Sequence, residues 1–306
     1  MAIPDFQSIM LPMLEFAADG REHSLAEARE AVAARLGLSE ADRAELLPSG
    51  TQRRFDNRVA WARVHMERAG LLSSRRRGHF EITERGRAIL AERPSRVDVK
   101  LLSRFQEYRD FRSISHRSES EEAREAESSE SESRETPEEM LDEAYLSIRA
   151  QLAADLLERV KSGSPRFFES LVVELLLKMG YGRSRADAGR AIGASGDEGI
   201  DGIISEDRLG LETIYIQAKR WQGTVGRPEI QKFVGALHGK RARKGVFITT
   251  GTFSGEAREY VSHIDPRVVL IDGQQVAEYM IDLDLGVTSK AVYEIKRIDS
   301  DYFVEE

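Results

Sequence analysis

The sequence predicts an α/β C-terminal domain joined by a linker to a mainly α N-terminal winged-helix domain. Three observations carry this. Residues 164–286 alternate helical and strand-like apolar patterns, as a sheet flanked by helices requires. Residues 4–97 read as helices followed by a short basic hairpin, the order of a winged helix, which is a variant of helix-turn-helix. Between them, Ser118–Thr136 is almost entirely Ser, Glu, Arg and Ala, with too little apolar surface to offset its ordering entropy. The expected boundaries are 1–97 for the winged helix, 98–160 for a linker with an amphipathic helix, 161–286 for the α/β domain and 287–306 for a tail.

The elements follow in order. Pro4–Ala17 is apolar at helical spacing. Ser24 with Glu27 three residues on is a capping box that starts a helix to Leu36. Arg54–Ala69 is helical, apolar at Phe55, Val59, Ala62 and Met66 and basic at Arg54, Arg58, Arg63 and Arg68. Leu71-Leu72 and Phe80-Glu81-Ile82 are short strands around the Arg75-Arg76-Arg77-Gly78 turn, and Thr83–Arg87 opens another helix. After the linker, Pro137 starts a helix whose stripe is Met140, Leu141, Ala144, Tyr145, Ile148, Leu152 and Leu156. Ser164-Pro165 is an N-cap and N1 proline for a helix to Met179. Strands are expected near Ile200–Ile204, Leu211–Lys219, Gly245–Thr250 and Val268–Ile271. Helices are expected at Pro228–His238, Ser254–Val261 and Gln274–Met280. One more strand is expected around Ala291–Ile295.

Composition narrows the function. The 306 residues suffice for two cores, and the absence of cysteine excludes disulfides and thiolate metal sites. The first residues lack a basic region and an apolar stretch, and Leu171–Leu177 is too short to span a bilayer. A cytoplasmic protein without a membrane partner is expected. The net charge of -8 is unevenly spread: Ser118–Thr136 alone carries eight Glu and two Arg. Thr51–Leu90 carries ten Arg against four acids, a basic face suited to a polyanion. Phosphate contacts from the wing and base-edge contacts from the helix would fall to Arg53, Arg54, Asn57, Arg58, Arg75 and Arg76.

The chemistry lies in two short pieces. Gly196-Asp197-Glu198-Gly199-Ile200-Asp201 delivers an acid to the start of an apolar run. Ile214–Lys219 is strand-like, so Gln217 and Lys219 project to one side while Ala218 points away. Magnesium takes oxygen ligands and few protein carboxylates. Asp201 is a natural first ligand, and a second can come from Glu169 or Glu174 on the opening helix. The Gln217 amide oxygen can coordinate metal or position water, and Lys219 can orient the attacking water or stabilise charge growing on phosphate. Taken as a bare pattern this is weak, because Asp201 could cap a turn and Lys219 could be an edge-strand charge. Glycines 193, 196, 199 and 202 suit tight turns, and no Gly-Lys-Ser/Thr follows to make a P-loop. Six scattered histidines give no zinc spacing.

Longer stretches add specificity. Phe167–Leu176, Met179-Gly180-Tyr181, Gly196–Gly202, Tyr215–Trp221, Gly226–Phe233, Gly245–Thr250 and Leu270–Gly273 resemble the Mrr restriction endonuclease family, in order, over about 120 residues. Residues 1–97 resemble that family's winged-helix region. The resemblance implies a restriction-endonuclease-like PD-(D/E)xK core with a mixed central sheet flanked by helices. It also implies magnesium dependence, with manganese as a substitute, and cleavage of methylated DNA. Asp201 matches the family's metal-binding acid, Lys219 its catalytic lysine and Glu169 its helix acid. Gln217 stands where the broader superfamily has Glu or Asp, one charge fewer for metal. The implied metal ligands are therefore Asp201, Gln217 and Glu169.

The function expected is a Mg2+-dependent endonuclease of methylated double-stranded DNA in a restriction system. It would be nucleoid-associated when bound, and a homo-oligomer because both strands must be cut. The alternatives are a DNA-binding regulator with an inactive nuclease-like domain, and a C-terminal domain that serves mainly to oligomerise.

Overall fold

The computed structural model of the chain describes residues 2–76, 78–115, 134–182, 199–206 and 212–296. Arg77, Ser118–Ser133, the turn segment Gly196–Glu198 with Gly193, and Leu211 lie outside the described residues. The described chain divides into two compact units, Met1–Ile148 and Arg149–Glu306.

In the first unit, α1 (Phe6–Phe16) begins where Asp5 accepts a 2.8 Å hydrogen bond from the Ser8 amide. The expected capping box starts α2 (Leu25–Leu36): the Glu27 amide donates to Ser24 Oγ, and the Ser24 amide donates to Glu27 Oε2. A short α3 (Glu40–Ala44) leads to α4 (Arg54–Arg68). Phe55, Val59, Ala62 and Met66 recur along one face of α4 and are fully buried, and α1 packs against that helix. Next come β2 (Leu72–Ser73), β3 (His79–Ile82) and α5 (Glu84–Ala91), the last capped by Thr83. The sequence hid a third strand, β1 (His23–Ser24), which pairs antiparallel with β3 and completes the order β1-β3-β2. Two residues are too few to show an alternating pattern; partner geometry alone makes them a strand. Residues 98–115 form α6 (Val99–Leu102) and α7 (Gln106–Ser115), whose Val99, Leu102 and Tyr108 enter the same core.

Helix α8 (Pro137–Ser162) belongs partly to each unit. Of its expected apolar stripe, Leu156 enters the core of the second unit, together with Ala153 and Val160. Met140, Leu141, Tyr145, Ile148 and Leu152 stay exposed.

The second unit continues with α9 (Pro165–Lys178), capped by Ser164 with Pro165 in its first turn. Its mixed sheet has the order β4-β5-β7-β9, from β4 (Gly202–Ser205), β5 (Thr213–Lys219), β7 (Lys244–Thr249) and β9 (Arg267–Ile271). β4 runs antiparallel to β5, and the other pairs are parallel. Helix α10 (Arg227–Gly239) connects β5 to β7, α11 (Gly255–Ser262) connects β7 to β9, and α12 (Gly273–Asp282) follows. Two short strands, β6 (Thr224–Val225) and β8 (Thr252–Phe253), pair separately.

Alternation along β7 separates the two faces of this sheet. Val246 and Ile248 join the core formed with α8, α9 and α12, while Phe247 joins Phe233 and Leu237 of α10. The Phe233 and Phe247 rings meet edge to face, with centroids 5.6 Å apart. By the same alternation, Tyr215, Gln217 and Lys219 of β5 share the α10 side. Residues 287–296 carry no regular secondary structure, which corrects the strand expected around Ala291–Ile295. Val292, Tyr293 and Ile295 are largely exposed, and no described strand pairs with them.

Candidate active site

Asp201 immediately precedes β4 and is tied to β5 twice. Its amide donates to the Ile216 carbonyl, and its Oδ2 accepts from the Ala218 amide, both at 2.8 Å. The antiparallel register of Gly202 opposite Ile216 forces this placement. One carboxylate oxygen is thus held by backbone, which orients the other. Gln217, next along β5, is 5% exposed. Gly199, at a φ of 97°, lets the approaching turn pass against it, since a Cβ there would lie 3.0 Å from Gln217 Nε2. Among the described residues no hydrogen bond ends on the Gln217 side-chain amide.

Glu169 sits one turn into α9, half-buried. Its carboxyl is held above the ordinary range, first by burial and then by the negative charge of Asp201. That second cause places the two carboxylates within electrostatic reach of each other. Glu174, the other sequence candidate, lies further along α9 and is also half-buried.

Lys219 ends β5. Its Nζ donates to Glu229 Oε2 at 2.8 Å and lies 4.9 Å from the centre of the Trp221 ring. Its carbonyl accepts from Thr249 Oγ1 at 2.8 Å, which fixes the strand end against β7. Glu229, in the first turn of α10, also accepts from Lys232 Nζ at 2.6 Å. Hydrogen bonding to Lys219, then to Lys232, pulls its carboxyl below the ordinary range. Sequence reasoning did not single out Glu229, and its signal was slight: an acid just after a helix-opening proline, ten residues past Lys219.

A divalent metal fits this donor set. Asp201 and Glu169 supply carboxylates that repel each other without a cation between them, and Gln217 adds a buried amide oxygen. All are hard oxygen donors of the kind magnesium takes. Among the described residues no three of His, Cys, Asp and Glu cluster as metal ligands.

The residues expected to meet DNA divide into two groups. Arg53, Arg75 and Arg76 are exposed, with Arg75 paired to Glu81 and Arg76 to Glu22. Arg54, Asn57 and Arg58 are engaged inside their own unit by the start of α8. Glu139, 1% exposed, accepts from Arg54 Nη1 at 3.0 Å and from Arg58 Nη2 at 2.9 Å. Thr136 Oγ1 donates to Asn57 Oδ1, and Asn57 is 2% exposed. Trp61, half-buried on the same face, donates from Nε1 to Glu138. Arg54, Arg58 and Trp61 follow at helical spacing, so one stripe of α4 receives the acidic head of α8.

Known proteins add two family matches. Residues 160–280 match the restriction endonuclease family model called Mrr_cat, and residues 6–92 match the Mrr N-terminal domain model. The chain is 38% identical to the type IV methyl-directed restriction enzyme EcoKMrr of Escherichia coli (strain K12), over 99% of this chain and all of that one. Among solved structures, the MspJI restriction endonuclease in complex with a 27-mer oligonucleotide aligns at 22% identity and a TM-score of 0.31. That alignment covers 44% of this chain and 31% of the other, too loose a likeness to argue from.

Proposed function

The chain belongs to the Mrr family of restriction endonucleases, and from that premise we propose that it cuts methylated double-stranded DNA in a divalent-metal-dependent reaction centred on Asp201, Gln217, Lys219 and Glu169. The single observation that supports this reading is the double tie of Asp201 to β5, through the Ile216 carbonyl and the amide of Ala218, the residue between Gln217 and Lys219. The methylated substrate is suggested by the methyl-directed E. coli relative, to which the whole chain aligns.

In this reading Asp201, Glu169 and the Gln217 amide oxygen hold magnesium, with manganese as a substitute. The ion would supply Lewis-acid stabilisation of phosphate charge and a more acidic bound water. Asp201 is held in one orientation by the Ala218 amide, so a donor oxygen is presented without reorganisation. Lys219 brings a fixed positive charge to the scissile phosphate, where a charged donor in a partly dry site acts more strongly than in water. Gln217 keeps the donor set one negative charge short of three carboxylates, which favours a single ion.

The N-terminal unit, read as a winged helix, would hold the duplex through exposed Arg53, Arg75 and Arg76. The basic segment Thr51–Leu90, ten Arg against four acids, makes that binding salt-dependent. Cutting both strands calls for a homo-oligomer on DNA. Because its substrate in this reading is DNA, the protein is placed in the cytoplasm, nucleoid-associated when bound; among the described residues no helix is long and apolar enough to cross a membrane.

The test incubates the protein with plasmids of different methylation patterns, with and without magnesium. Methylated plasmid should be cut only with metal. Lys219→Ala should slow cutting by roughly 100-fold or more, the scale for removing one preorganised electrostatic donor, while DNA binding persists. Cutting by Lys219→Ala at the parent rate would sink the residue assignment. Inertness of the parent on every plasmid, with magnesium or manganese, would favour a DNA-binding regulator instead.

A further inference from the structure

We infer that Glu229 is the positioning residue for Lys219: its carboxylate, fixed in the first turn of α10, holds the ammonium in one rotamer on the face that Gln217 shares. This rests on the reading that Lys219 acts on the phosphate. A lysine side chain carries about 2 kcal/mol of rotamer entropy and a compact charge on a flexible stem. Left alone at the end of β5, Lys219 would sample many positions. Glu229 Oε2 accepts from its Nζ at 2.8 Å, and the Trp221 ring lies on it at 4.9 Å. Side-chain exposures of 25% for Lys219 and 18% for Glu229 make this a half-buried pair.

The carboxylate is itself well anchored. Helix α10 buries Ile230, Phe233 and Leu237 completely, so its first turn cannot drift from the sheet. The Glu229 amide donates to the Gly226 carbonyl at 3.2 Å, and Gly226 caps the helix. An acid in a first turn is also favoured by the helix dipole. The second carboxylate oxygen takes Lys232, whose side chain is 72% exposed. Lys232 therefore steadies the acid from the solvent side and leaves Oε2 for Lys219. Parallel pairing of Lys219 with Thr249 in β7 fixes the backbone from which the lysine projects. Strand, helix and ring together give the ammonium one address.

The experiment compares Glu229→Gln, Glu229→Ala, Lys219→Ala and the double variant Glu229→Ala/Lys219→Ala in single-turnover cleavage of methylated DNA with magnesium. Glu229→Ala should lower kcat by roughly 10- to 100-fold, as misplacing a reacting group by about 1 Å does. Glu229→Gln, which keeps an acceptor oxygen, should lose less. KM and metal-free DNA affinity should stay within about twofold and the melting temperature near that of the parent. In the Lys219→Ala background Glu229→Ala should have no further effect on the residual rate, the non-additivity of two residues acting as one unit. The Lys219 ammonium 15N resonance, slowed in exchange by the pair, should broaden in Glu229→Ala.

An unchanged kcat in Glu229→Ala while Lys219→Ala is inactive overturns the positioning role and leaves the site intact. So does full additivity in the double variant, or a parallel fall in melting temperature and rate. Parent-level cutting by Lys219→Ala overturns the site itself and this inference with it.

Discussion

Replacing Glu139 tests how the N-terminal unit is held together. Its carboxylate is 1% exposed and meets Arg54 Nη1 at 3.0 Å, Arg58 Nη2 at 2.9 Å and the Thr136 amide at 2.9 Å. Glu139→Ala removes one negative charge from between two guanidinium groups. Breaking a buried pair from one side costs about 3–5 kcal/mol, because the partner charge is left behind. The arginines here are not wholly stranded. Arg54 keeps Glu45 at 2.7 Å and is 23% exposed, while Arg58, 11% exposed, keeps the carbonyls of Ile3 and Pro4. We therefore expect the low end, about 3 kcal/mol, or roughly 6–12 °C for a unit of this size. Urea unfolding read from Trp61 fluorescence in a Trp221→Phe background isolates this unit, because the chain has two tryptophans. Glu139→Gln, still an acceptor but uncharged, should fall between parent and Ala. Adding Arg58→Met to Glu139→Ala should recover part of the loss by removing the unpaired charge. A Glu139→Ala protein within about 0.5 kcal/mol of the parent, the range of an ordinary surface change, would refute the reasoning.

Two further predictions follow from buried geometry. His65, packed among Phe6, Trp61, Tyr108 and Phe111, has its ring pKa lowered from 6.5 to about 4, first by burial and then by the charge of Arg112. The unfolded chain then binds a proton that the folded chain refuses, so stability falls as pH drops from 6.5 to 4 and levels off below. The loss should reach roughly 3 kcal/mol in urea titrations at each pH, and His65→Gln should flatten the slope; an equal slope in the variant would count against this. Gly251 passes so close to Gly223 that a Cβ would lie 2.0 Å from its carbonyl oxygen. Gly251→Ala should accordingly lower the melting temperature of the second unit by several degrees, whereas Gly235→Ala, which meets nothing within 4 Å, should not.

Much of the fold and part of the site were legible in the sequence, for identifiable reasons. Local signals acted where neighbours along the chain settle the outcome. The Ser24–Glu27 box, the Ser164-Pro165 start and the apolar stripe of Arg54–Arg68 all describe the elements found there. Period-two alternation placed Gln217 and Lys219 on one side of a strand. Signals failed where a partner distant in sequence decides. His23–Ser24 becomes a strand only because β3 lies beside it, and Ala291–Ile295, apolar enough to suggest one, has no such neighbour. Asn57 looks like a base-reading side chain on a basic helix, yet it is 2% exposed, its Oδ1 accepts from Thr136, 79 positions away, and its Nδ2 donates to Gln52.

The sequence by itself determined the division into a basic helical part and an α/β part, and the spacing of Asp201, Gln217 and Lys219. Those are short-range properties, carried by charge, period and turn residues. Only the tertiary structure decided that Asp201 is tied to β5 through Ile216 and Ala218, and that Glu169 feels its charge. It alone put Glu229 on Lys219 and Glu139 between two arginines. The physical reason is that a charge finds its partner through space. Sheet register and helix packing bring together oxygens and nitrogens that lie ten to eighty-five residues apart.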